Sequence, residues 1–284
     1  MTTPTRPSTG LRLNLMLLSI ARHWMRIALT ILAVYISLPW LAPTFMKLGL
    51  ETPARIIYTA YRPFCHQFGF RSFFLYGEQP EYPLEAASAA GAGMGSFESY
   101  VGKSRIPAEM AAHQVPKPPF SVEVLPDFFG IHVPSDVSPH NPLEDQNFVR
   151  FQIAAAAFLG NPQMGYKMTL CERDIAIYSS MFIFGVIYSR PSVRRRLRPI
   201  PLWLYFFAGV APIGIDGFSQ LLGYPPFHLW GARETLPFFR VMTGILFGAM
   251  TGWLGFPYIE MSMRDAIREI EAKLTAAGIP ISRS

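Results

Sequence analysis

Only two cysteines occur in the 284 residues, Cys65 and Cys171, and each stands beside a second group able to bind a metal or move a proton. His66 follows Cys65, and Cys171 opens the run Cys171-Glu172-Arg173-Asp174. Thiolate, imidazole and carboxylate together make the mixed donor set that zinc prefers. The same residues also fit a disulfide between Cys65 and Cys171 in an oxidising compartment. A third account leaves both cysteines as small buried hydrophobes, with His66 merely hydrogen-bonded. The sequence leaves these three open. A second constellation is ionic: Asp216 and Gln220 are four residues apart, and Arg240 lies ahead of Gly244, Gly248 and Gly252 at four-residue steps. Spacing of this kind puts the glycines on one helix face that packs closely against a neighbour. It predicts that Arg240 bridges to Asp216, either as a register-fixing ion pair or as a site for a headgroup, proton or ion.

These groups are positioned by four apolar segments, 27–46, 166–188, 200–222 and 237–257, each long enough to cross a hydrocarbon core at about 1.5 Å per residue. Half of the residues are hydrophobic and 15% are charged, so the apolar surplus must face lipid. The expected fold is all-α: a polytopic membrane protein with four transmembrane helices, an interfacial segment and a long extracytoplasmic loop. Ile175 to Tyr188 alone reaches about 21 Å, short of the roughly 30 Å core, so the second span is expected to start near Tyr166. Cys171, Asp174 and Tyr178 then share one face, while Glu172 and Arg173 point elsewhere to snorkel or pair.

The net charge of +6 raises a nucleic-acid partner, but Arg190, Arg194, Arg195, Arg196 and Arg198 gather in the short connection between the second and third spans. That is positive-inside charge, and no basic run is interleaved with stacking aromatics, so nucleic acid is excluded as a partner. Arg6, Arg12, Arg22 and Arg26 precede the first span and agree. Both termini are expected in the cytoplasm of a cell-membrane protein, with the cysteines at the outer face. Leu11 to Ile20 reads as an amphipathic lead-in to an uncleaved anchor. The loop from 51 to 165 holds an expected interfacial helix over 53–76, capped by Thr52 ahead of Pro53. From Gly77 to Pro142 no period is sustained. His113, His132 and His140 in that loop, with His23 and His228, show no metal-ligand spacing. Met263, Ile267, Ile270 and Leu274 predict a cytoplasmic surface helix over 261–278, opened by Ser262 and closed by Gly278. Nucleotide loops, catalytic triads and zincin helices are missing from the sequence.

Cys65-His66-Gln67, Arg71-Ser72-Phe73, Cys171-Glu172-Arg173-Asp174 through Ile177-Tyr178, Asp216-Gly217 with Gln220-Leu221, and Arg240 with Thr243-Gly244 and Phe247-Gly248 together resemble a family. It is domain of unknown function 2085, a set of predicted membrane proteins without an assigned activity. The resemblance covers the interfacial segment and the last three spans. It implies a second cysteine three residues after Cys171, where this chain has Asp174. A ligand set follows if aspartate serves in its place. The stretch from about Glu78 to Gly165 departs from the family as a long insertion. The expected function is an accessory or structural membrane protein whose Cys65, His66, Cys171 and Asp174 bind a metal, zinc by its donors, or form a disulfide. Membrane lipid, a membrane assembly or a second copy of the chain would be its partners. Two alternatives are a thiol oxidoreductase cycling the two cysteines and a small carrier using Asp216 and Arg240; Gln220 and Arg173 are further candidate site residues.

Overall fold

The computed structural model describes residues 9–85, 87, 95–97, 100, 151, 152, 155–224, 227–231 and 233–279. The expectations placed on 101–150, the loop histidines and prolines among them, lie outside the described residues. The elements in order are α1 (Thr9–Lys47), α2 (Glu51–Tyr61), a 3-10 turn (Gly69–Arg71), β1 (Phe74–Leu75), β2 (Gly160–Asn161), β3 (Gly165–Lys167), α3 (Glu172–Tyr188), α4 (Pro191–Arg196), α5 (Leu202–Leu221) and α6 (Pro237–Ala276).

Three helices, α1, α5 and α6, are long and apolar enough to cross a membrane. Their outward faces are apolar: Ile31 in α1 is 63% exposed, Ile215 in α5 70% and Phe238 in α6 66%. Such continuous bands on bundle-forming helices are what lipid, not water, would solvate. α1 has 39 residues and α6 has 40, about 60 Å each, so both overrun a hydrocarbon core. The lead-in at Leu11 to Ile20 therefore continues into the first span as one helix. The surface helix expected after Ser262 likewise is the unbroken end of α6, which carries Pro257 in its interior. Gly278, at φ +71°, closes it as expected, with the Ile279 amide returning to Leu274 O at 3.0 Å. α5 runs through a π-helical stretch, Tyr205–Val210, directly ahead of Pro212, whose missing N–H removes one rung of the regular ladder.

α3 and α6 form the centre. Gly244, Gly248 and Gly252 face α3, as the four-residue spacing predicts. A methyl group on Gly244 would stand 2.7 Å from Arg173 O, and one on Gly248 would collide with Ile177 O and Ser180 Oγ. Only glycine lets the two backbones approach this closely.

At the end of the bundle where α6 begins, the chain builds a cap that sequence periodicity did not announce. β1, β3 and β2 form an antiparallel sheet in that order, pairing Phe74 with Lys167 and Gly160 with Tyr166. Asn161 Oδ1 accepts the Gln163 and Met164 amides at 3.0 and 2.7 Å to make the hairpin turn. Gly165, at φ +77°, then brings β3 so close to β1 that a side chain would strike the Leu75 carbonyl. Phe70, Phe74, Tyr82, Phe97 and Phe158 form the buried core of this cap. A second cluster joins it to the bundle through Met46 of α1, Tyr58 of α2 and Ile175 of α3.

Two expected boundaries change as a result. The interfacial helix stops at Tyr61 instead of Tyr76, because the residues after it turn back to form β1. It also starts at Glu51, after Leu50, without a Thr52 side-chain cap. α3 starts at Glu172 instead of near Tyr166, because Tyr166 is held in β3 between two strands.

Candidate functional site

The loop after α2 and the start of α3 meet beneath the sheet. Cys65 N donates to Tyr61 O at 3.1 Å, and Gln67, at φ +56°, sends its side-chain amide back to Tyr58 O at 2.8 Å. This fixes the turn that carries Cys65. Cys171 is the N-cap of α3, and its N–H donates to Cys65 Sγ at 3.3 Å. Asp174 follows in the first turn of α3. The two sulfur atoms and an Asp174 carboxylate oxygen all lie within 4.8 Å of one another. Both cysteines are free thiols. The hydrogen bond with Cys65, followed by burial, pushes the Cys171 thiol well above its ordinary value. In the same buried cluster as Cys65, the Tyr61 hydroxyl, pushed up to about 12 by burial, donates to Tyr35 O at 2.5 Å.

Of the expected ligand set, His66 stands apart. It is exposed, and its ring stacks on Phe68 with centroids 5.3 Å apart. The cause is local: Cys65 turns inward toward α3, so the adjacent side chain turns out.

The ionic groups also pair differently from the expectation. Arg240 is 3% exposed, and its guanidinium donates to Glu234, stands 3.6 Å from Glu172 and reaches Phe70 O at 3.5 Å. Asp216 instead takes Arg173 from α3, with Arg233 at 3.6 Å and Thr235 and Gln220 as hydrogen-bond donors. The expected Arg240–Asp216 bridge is thus replaced by two separate clusters. The reason is the segment before α6, which folds back and inserts Glu234 next to Arg240. Gln220 does share a face with Asp216, its amide 3.2 Å from Asp216 Oδ2.

Glu172 does not snorkel. Its side chain is 1% exposed, and among the described residues Oε2 has no hydrogen-bond donor, the Arg240 guanidinium standing 3.6 Å away. Arg71 completes this cluster, donating through Nε to Glu234 Oε2 at 3.1 Å while its guanidinium lies over Phe70 at 5.4 Å. Tyr224 also donates to Glu234.

Residues 163–254 match the family described as predicted membrane protein (DUF2085). The DUF2085 match begins in the β2–β3 turn and ends within α6, so it holds Cys171, Asp174, Asp216 and Arg240. Cys65 and Arg71 lie before it, so the cysteine group and the Arg240 cluster are completed from outside the matched segment, whereas the Asp216 cluster lies within it. No curated protein and no solved structure matches the chain.

Sequence reasoning missed Glu234, Arg71 and Lys167 as partners. Lys167 is fully buried, and Nζ donates to the carbonyls of Gln67, Ala155 and Ala156 at 2.6, 3.2 and 2.7 Å. Burial pulls it well below the ordinary lysine value, and the nearby Arg62 charge adds to that. The available signal was a lone lysine in an apolar run from Met164 to Leu170.

Proposed function

We propose that this chain is an accessory membrane protein with a Cys65–Cys171–Asp174 metal site at its outer face, zinc being the metal that best suits two thiolates and a carboxylate. The proximity of the three donor atoms, all within 4.8 Å, carries this reading. A tetrahedral zinc with sulfur at about 2.3 Å needs its sulfurs roughly 3.8 Å apart, so small rotations of side chains suffice. The Cys171 amide already donates to Cys65 Sγ, which favours the thiolate form a metal requires. Asp174 argues against a plain disulfide, since a carboxylate beside one has no role, whereas beside a cation it has. His66 drops out of the ligand set, leaving a fourth position for water.

In this reading α3 is the fourth span. Its 17 residues reach about 26 Å, and the cap above it covers the remaining depth. The arginine-rich turn and both termini then face the cytoplasm. Two contacts support that grouping: Arg22 near the start of α1 donates to Glu271 near the end of α6 at 2.9 Å, and Arg194 of α4 donates to Glu260 of α6, so the start of α1, α4 and the end of α6 share one side.

The decisive experiment is elemental analysis of the purified full chain with thiol counting, before and after reductant and chelator. About one zinc per chain, lost in Cys65→Ser, Cys171→Ser and Asp174→Asn variants that keep their helical circular dichroism, supports the site. Two titratable thiols without metal, or thiols that appear only after reduction, would refute it. The second outcome would favour the other reading that close, free sulfurs allow: a thiol oxidoreductase that forms a Cys65–Cys171 disulfide and passes two electrons and two protons to a quinone or disulfide partner.

A further inference from the structure

At the opposite end of the bundle, where the apolar stretches of α1 and α6 finish, a cavity of about 530 Å³ opens among α1, α4 and α6. Its lining is Arg22, His23, Met25, Arg26, Arg194 and Ile267. Three guanidinium groups therefore share one concave, water-reachable space. The acids beside it are already engaged. Glu260 accepts from Trp24 at 2.8 Å, from Arg264 at 2.6 Å and from Arg194, and Glu271 accepts from Arg22. Among the described residues Arg26 has no carboxylate partner, and Arg194 Nε is buried without an acceptor. The Arg194 guanidinium lies 5.7 Å from the Trp24 ring, which orients it.

A surplus of forked donors in a pocket calls for an anion with several acceptor oxygens, and guanidinium matches phosphate in that respect. Position narrows the source. Arg26 is followed at once by the exposed Ile27 and Ile31, which lie along the lipid-facing side of α1. An anion whose charge sits at Arg26 and whose apolar part continues along these residues is a phospholipid. Basic pockets between spans at the positive side of a membrane protein have the chemistry to hold such headgroups.

We propose that this cavity binds the phosphate of an anionic phospholipid. The proposal does not depend on the cysteine site, which lies at the other end of the helices. Purified full chain in nonionic detergent would be titrated with phosphatidylglycerol, phosphatidylcholine or inorganic phosphate, and retained molecules read by native mass spectrometry. The wild type should hold one phosphatidylglycerol about tenfold more tightly than phosphatidylcholine. Arg26→Gln, at an exposed position, should weaken it about fivefold, and Arg22→Gln with Arg26→Gln further. Arg268→Gln is the control, because Arg268 is 79% exposed on α6, pairs with Asp265, and is not among the residues lining the cavity. Competition by inorganic phosphate with the same dependence on Arg26 would support the site and assign it a soluble phosphate instead of a lipid. Equal retention of both lipids with no phosphate binding, an unchanged Arg26→Gln variant, or an equal loss in Arg268→Gln would overturn it.

Discussion

Replacing Arg240 with methionine should be among the most damaging single changes in this protein. The side chain keeps an unbranched apolar stem and loses its charge at a position 3% exposed, where two carboxylates face it. Glu234 retains Arg71 and Tyr224, but Glu172 loses its ion-pair partner, 3.6 Å away, and keeps only the weaker influence of Arg71. At an effective dielectric constant of about 20, that contact is worth about 5 kcal/mol before desolvation. Stranding one partner of a buried pair costs about 3 to 5 kcal/mol, so Arg240→Met should destabilise by that amount. The reasoning also specifies a rescue. Adding Glu172→Gln removes the stranded charge, and the double variant should recover about 2 kcal/mol although it carries one more substitution. The assay is reversible unfolding in mixed micelles with increasing sodium dodecyl sulfate, followed by helical circular dichroism. An Arg240→Met variant within 1 kcal/mol of wild type, or a double variant no more stable than it, would refute the argument.

Gly248→Leu should force α3 and α6 apart, because its side chain meets the Ile177 carbonyl, which cannot rotate away. A loss of about 3 kcal/mol in the same assay is expected, while Gly255→Leu, with open space at its Cβ position, should change stability by less than about 0.5 kcal/mol. Lys167→Met removes the donor shared by the Gln67, Ala155 and Ala156 carbonyls and should cost about 3 kcal/mol, read as faster proteolysis of the cap while the spans stay folded. Because the folded state lowers the Lys167 pKa, the unfolded chain binds this proton more tightly, and this group's contribution to stability rises with pH toward the ordinary lysine range and is lost on acidification. That slope should vanish in Lys167→Met, and its persistence there would assign it to another group.

Long-period features were legible in the sequence. The apolar lengths of α1, α5 and α6 and the glycine face of α6 follow from composition and a four-residue repeat, each decided locally along one helix. The meeting of Cys65, Cys171 and Asp174 was also legible, because rare residue types at the same end of the bundle leave few arrangements. The sheet was not. Its strands have two or three residues, too few for a period-two pattern, and β1 and β3 are separated by about ninety residues of chain. Nor could the ionic partners be assigned from depth alone. Asp216 and Arg240 enter from the same side, but which arginine reaches Asp216 depends on the rotation of α3 and on the return of Glu234 before α6. Neither leaves a mark in hydropathy.

The way the two cysteines are held bears on what their site can be. Zinc sites that fold their own domain draw ligands from segments with little other structure, and removing the metal unfolds them. Here the Cys65 turn is fixed by the Gln67 amide on Tyr58, and the approach to Cys171 by the Tyr58 hydroxyl on Lys167 O at 2.5 Å and the Met168 amide on Phe73 O at 2.8 Å. The same Tyr58 side chain and backbone thus anchor both cysteine-bearing segments from one helix. Lys167 ties them again, since its ammonium donates to Gln67 O from within β3. The donors are therefore brought together by hydrogen bonds and packing that no metal is needed to make. Under the proposed metal reading, such preorganisation favours binding and lets the fold survive removal of the ion. It distinguishes the proposed site from a metal staple on which folding itself would depend.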